Sequence, residues 1–100
     1  MARSKPYRAH PEVWVEIEGA DDWYMQRSLD ASAAFLAAVY EAFDTVSDAP
    51  HRWPKYLHGT RRFLLHRFPF AIVYLDDSDL VTIVAVAHSK RKPGYWRQRL

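Results

Sequence analysis

Cysteine is absent from this chain. That excludes a disulfide scaffold and thiolate metal sites, and it suits a reducing cytoplasmic compartment. Glycine is scarce, with three residues in 100, and neither a Gly-rich phosphate loop nor a Gly-x-Ser-x-Gly nucleophile elbow occurs. No apolar run reaches the roughly 18 residues of a membrane span, so no membrane partner is expected. The opening Met1 to Tyr7 carries Arg3 and Lys5 but no apolar stretch behind them, and it does not read as a secretory signal. The five histidines, at 10, 51, 58, 66 and 88, lack ligand spacing such as His-x3-His on one helix, so neither a metal nor a cofactor is expected. There is no internal repeat and no low-complexity segment.

What is present is a chain with enough apolar residues, 49%, to build one packed core, and a length that suits a single domain over residues 1–100. Its net charge of +2 conceals an asymmetry. Residues 1–49 carry four Lys/Arg against nine Asp/Glu, a net of −5, and residues 50–100 carry ten against three, a net of +7. A basic half raises the local concentration of anionic partners and speeds their encounter. Arg61, Arg62 and Arg67, followed by Lys90, Arg91, Lys92, Arg97 and Arg99, cluster as a polyanion site would. The plainer alternative is a solvated surface that keeps the domain soluble.

Periodicity sets the expected elements. Tyr7 to His10 reads as a short edge strand. Pro11 suits a first helical position, and Val13, Ile17, Ala20 and Tyr24 step by four, three and four residues, a helical stripe ending near Arg27. Glu16, Glu18, Asp21 and Asp22 are expected on the outer face. Ser28 or Asp30 can cap a second helix, which Ser32, Leu36, Val39, Tyr40, Phe43 and Val46 carry to about Val46. Two adjacent amphipathic helices read as a hairpin. Beyond Pro50, Pro54 and Gly59 the pattern becomes extended, with strands expected over Arg62–Phe68, Phe70–Leu75 and Leu80–His88, separated by Pro69 and by the Asp76–Asp79 turn. The expected architecture is α+β: a two-helix hairpin packed on a small antiparallel sheet.

Three segments carry candidate chemistry. The densest is His88-Ser89-Lys90-Arg91-Lys92-Pro93-Gly94-Tyr95-Trp96. A histidine at a strand end is held on a rigid element and moves protons near neutral pH. Arg91 can stabilise developing phosphate charge, and Tyr95 or Trp96 can stack on an unpaired base. The alternative is structural, with Trp96 covering the sheet edge and the lysines solvating a loop. The second segment is Arg61-Arg62 with Arg67. Arg61 and Arg62 point to opposite faces of a strand, and Arg61 and Arg67 share parity unless a turn intervenes. The third, His51-Arg52-Trp53-Pro54-Lys55-Tyr56, mixes cations with rings but reads first as a helix-to-strand connector.

The combined pattern of Gly59-Thr60-Arg61-Arg62-Phe63, Arg67-Phe68-Pro69-Phe70, Ile83 to His88 and Arg91-Lys92-Pro93-Gly94-Tyr95-Trp96 resembles the RelE/ParE superfamily of type II toxins. It is closest to members labelled plasmid-stabilisation proteins. Asp22-Trp23-Tyr24 and Phe35 also sit where that family places an aromatic pair and a Phe. The resemblance implies two helices against a curved antiparallel sheet, and a cognate antitoxin, acidic and partly disordered, that wraps the toxin in a hetero-oligomer. It also implies one of two mechanisms, of which His88, Arg91 and Tyr95 favour the first, since a metal-free nuclease needs a titratable group beside cations. RelE-like members cut mRNA in the ribosomal A site without a metal. In that reading Arg62 or Arg67 holds the scissile phosphate, Arg91 the developing charge, and His88 or Tyr95 moves the proton, with Arg61, Lys55, Lys90 and Lys92 as further phosphate contacts. ParE-like members inhibit DNA gyrase without cutting. An inactive relative that only binds its antitoxin or DNA is the third possibility. The sequence departs from the RelE-like pattern where the helix-to-sheet loop offers only Arg52 and Lys55, and where Tyr95 falls inside a Pro-Gly turn.

Overall fold

A computed structural model describes residues 5–100; residues 1–4, with Arg3 of the opening segment, lie outside the described residues. The chain runs β1 (Tyr7–Ala9), α1 (Pro11–Met25), α2 (Leu29–Asp48), β2 (Arg61–Leu64), β3 (Phe70–Asp76) and β4 (Val81–His88). Short 3-10 turns cover Pro50–Arg52, Leu57–Gly59 and Arg97–Arg99. The sheet order is β1-β4-β3-β2. Strands β2, β3 and β4 form the expected antiparallel meander. Strand β1 joins β4 in parallel, Tyr7 opposite Val81 and Ala9 opposite Ile83, so the sheet is mixed. The helical hairpin between β1 and the meander supplies the long crossover that parallel pairing requires.

Both helices start where their caps dictate. Pro11 opens α1, and the His10 ring, rather than a hydroxyl or carboxylate, accepts the Glu12 N–H at 3.1 Å. Ser28 Oγ accepts the Ala31 N–H at 3.2 Å and opens α2, satisfying a donor that the first turn leaves free. Val13 and Ile17 are buried as the stripe requires. On α2 the expected Ser32, Val39, Phe43 and Val46 are buried and Leu36 packs against them, while Tyr40 is half exposed at the margin of the stripe. Phe35 and Ala42 extend the buried face. The Phe35 ring lies 5.0 Å from Tyr24, 5.5 Å from Phe68 and 5.3 Å from Phe70 between centroids, an aromatic cluster that ties α2 to α1 and the sheet.

Pairing register sorts the sheet residues onto two faces. Ile72, Tyr74, Ile83 and Val86 join the core under the helices. Val73, Val84 and Ala85 form a second cluster closed by Trp96, which is 1% exposed. Cover on both sides explains the continuous apolar runs of β3 and β4. A register shift between Val73 and Tyr74 leaves Val84 as the extra residue of a bulge on β4. Strand β2 ends at Leu64, four residues short of expectation. Leu65 N–H turns back to Phe70 O at 2.9 Å, and Pro69 has no N–H to continue the ladder.

Tyr74 is fully buried, and its hydroxyl donates to Pro50 O at 2.6 Å, pinning the loop after α2 to the sheet. Burial pushes this hydroxyl up to about 12, against an ordinary value of about 10. The unfolded chain therefore releases the proton first, so this contribution is complete below about pH 10 and is lost as pH rises toward 12. Tyr74→Phe is expected to cost about 1 kcal/mol at neutral pH and to reduce the alkaline decline, both read from urea unfolding across pH 7 to about 11.

Candidate functional site

The segment after β4 folds back onto the sheet through two local constraints. His88 Nδ1 accepts the Lys90 N–H at 3.0 Å and His88 O accepts the Arg91 N–H at 3.0 Å, so the chain reverses at once and the neutral ring carries its proton on Nε2. Gly94 then takes φ +81°, a conformation that costs an L side chain strain, and Arg97 N–H closes on Gly94 O at 3.0 Å. This turn seats Trp96 against Val73, Val84 and Ala85 and brings Tyr95 under Arg91, whose guanidinium lies 3.9 Å from the ring centroid. The opposite wall comes from the connector before β2. His58 and Gly59 have φ of 56° and 79°, which lets Tyr56 N–H reach Thr60 O at 2.8 Å. Tyr56 then faces Arg62, with the guanidinium 4.2 Å from its ring centroid.

Between these walls lies an open groove of about 310 Å³ on the sheet face away from the helices. Arg62, His88, Arg91, Lys92 and Tyr95 line it, with Trp96 at the base, and no carboxylate contributes to the lining. The other candidates go elsewhere. Arg61 pairs with Tyr74 on the helix-facing side and donates to Trp53 O at 2.6 Å. Arg67 follows the end of β2 and lines a different hollow, against Ala38 and Glu41 of α2, because the turn at Leu65 breaks the parity it would share with Arg61. Lys55 is exposed and its backbone bridges to Arg61. Lys90 is exposed and outside the groove lining. Trp53 holds the connector, as expected, with its ring 4.6 Å from Phe63.

Two residues of consequence were not singled out. Glu16, assigned to the solvated face of α1, points inward. Its carboxylate accepts Tyr95 Oη at 2.5 Å, both Arg99 nitrogens at 3.0 Å and the Val86 N–H at 3.0 Å. Arg99 also donates to Val84 O at 3.1 Å. Glu16 lies three residues from Val13 and four from Ala20, on the buried stripe itself, and that spacing was the available signal. Asp21 is likewise engaged, accepting the Ser32 hydroxyl. Burial, reinforced by Glu16, holds the Tyr95 hydroxyl well above the usual tyrosine range. Among the described residues no group of three or more His, Cys, Asp or Glu is placed to hold a metal ion, and no helix is long and apolar enough to cross a membrane.

A small α+β domain with an unpaired cationic groove on one sheet face is the class of protein that this geometry defines. Residues 7–93 match the model of the family described as the ParE toxin of the type II toxin-antitoxin system, parDE, and the chain belongs to that family. It is a ParE-type toxin of a toxin–antitoxin module, and the family implies an antitoxin partner. Among solved structures it is similar to a chain of the chromosomal ParDE toxin–antitoxin system from P. aeruginosa. The TM-score is 0.76 at 12% identity, covering 87% of this chain and 98% of that one. No curated protein matches the chain.

Glu16→Ala strands Arg99, the Tyr95 hydroxyl and the Val86 N–H together. With side chains only 13–14% exposed, the expected loss is about 3 kcal/mol in urea unfolding.

Proposed function

We propose that the protein arrests growth by binding rather than by cutting RNA, with DNA gyrase as its target and an acidic antitoxin segment covering the groove until release. The observation that carries this reading is the engagement of Tyr95. Its hydroxyl donates to Glu16 and holds its proton far above neutral pH, so it is no proton acceptor for an attacking 2′-hydroxyl. Of the two arginines that a ribosome-dependent endoribonuclease would draw on to hold phosphate, Arg62 lines the groove and Arg67 lines the hollow against α2. Arg62, His88 and Arg91 then remain to that reading in the groove lining, with His88 as its one proton carrier. Binding asks less of them. It needs a shaped cationic surface, and Arg62, Arg91 and Lys92 supply one without a neutralising carboxylate in the lining. Membership of the ParE family points the same way. The site of action is the cytoplasm, where gyrase works, and the resting form is a toxin–antitoxin hetero-oligomer.

Expression without antitoxin is expected to arrest growth with mRNA intact, and purified toxin to inhibit gyrase supercoiling. Arg62→Glu combined with Lys92→Glu is expected to weaken that inhibition at least about tenfold. Rapid ribosome-dependent mRNA cleavage that His88→Ala abolishes would contradict the proposal.

A further inference from the structure

His88 and Arg91 form a partition. On one side lies the groove, and on the other, between α1 and the ends of β3 and β4, lies a second hollow of about 340 Å³. That size falls in the range of small-ligand sites. Its walls are aromatic: Trp23 and Tyr24 from α1, Phe70 from β3 and Tyr95 from the returning tail. Its α1 side is kept open by small residues. Gly19 and Ala20 line it, and a Cβ added at Gly19 would meet nothing within 4 Å. Trp23 is half exposed, with the Arg27 guanidinium 3.4 Å from its ring centroid.

The polar groups of this hollow are cationic or protonated donors. Arg91 stacks on Tyr95, and among the described residues it forms no ion pair with a carboxylate. His88 has its Nδ1 occupied by the Lys90 N–H, which leaves Nε2–H as a donor. The one carboxylate in the lining, Glu16, is already saturated by Arg99, Tyr95 and the Val86 N–H, so its charge is compensated. Flat rings suit a planar aromatic group, and an unpaired guanidinium beside an imidazole donor suits a phosphate.

We infer that this hollow is a binding site for a nucleoside 5′-monophosphate unit, the base against Trp23 and Tyr24 and the phosphate at Arg91 and His88. The inference goes beyond the proposed function and stands apart from the choice of cellular target, because it concerns the helix-facing side of the partition and is read by binding alone.

The test is a titration of the full chain with AMP, adenosine and inorganic phosphate, followed by proton–nitrogen NMR shifts. AMP is expected to shift the Trp23 indole and the Gly19 amide, with adenosine and phosphate each at least about tenfold weaker. Trp23→Ala and Arg91→Ala are each expected to weaken AMP at least about tenfold, while Arg8→Ala, which removes an exposed charge on β1, leaves affinity unchanged. Trp23 is half exposed, so its replacement leaves the core intact. A 5′-phosphorylated hexadeoxyadenylate tells the sources apart: tighter binding that Lys92→Ala removes assigns the site to a strand end, and binding no tighter than AMP assigns it to free nucleotide. Three results would overturn the inference: no binding up to about 10 mM AMP, shifts confined to Arg62 and Lys92, or equal affinity after Trp23→Ala.

Discussion

Strand β1 covers β4 only from Val81 to Ile83. Beyond that point the outer edge of β4 would expose the Val86 N–H and the Val84 carbonyl, and an open edge is a template for unwanted pairing. Glu16 and Arg99 close it, one taking the N–H and the other the carbonyl, while their own fork-to-fork contact joins them. The same carboxylate takes the Tyr95 hydroxyl. One side chain of α1 thus fixes the edge of the sheet and the tail that folds over its far face. The groove depends on that anchorage, because Arg91 is positioned on the Tyr95 ring and Trp96 forms the base.

Such an arrangement separates charges engaged by acceptors within the fold from charges that rest on rings. Arg99 and Arg61 are consumed by carboxylate and carbonyl acceptors, whereas Arg62 and Arg91 rest on aromatic rings. A ring holds a guanidinium in place and leaves its in-plane donors open to an incoming anion. Tyr95 is therefore a support for a cation here. Its own proton is held by burial and by Glu16. His88, tied by its Nδ1 to the turn that follows, adds one donor between the groove and the aromatic hollow.

Much of the fold was legible because its signals are local. Pro11 and Ser28 mark the helix starts, Pro69 and Asp76–Asp79 mark the strand ends, and Val13 and Ile17 mark the buried stripe. The errors arose where tertiary contacts decide. Phe35, not among the expected stripe residues, is buried through rings that lie more than 30 residues away in sequence, Phe68 and Phe70. The β2 strand stopped before Arg67 because Leu65 bonds back to Phe70. Within the site, His88, Arg91, Lys92 and Tyr95 were legible as one segment and Arg62 as a strand residue facing them. Arg61, Arg67, Lys55 and Lys90 carry the same sign but lie outside the groove lining, a sorting that composition alone cannot make. Glu16 could be suspected only from its place on an apolar stripe, and its partner Arg99 lies 83 residues away.

The central claim is that Glu16 holds the exposed edge of β4 and, through it, the tail that builds the groove. Amide hydrogen exchange at Val86 tests it most directly, since that N–H faces away from β3 and has the carboxylate as its acceptor. The account predicts that Val86 exchanges as slowly as the interior amides of β3 and β4, through the global opening of the domain. Exchange at Val86 near the rate of an unprotected edge, with β3 and the rest of β4 still protected, would contradict it.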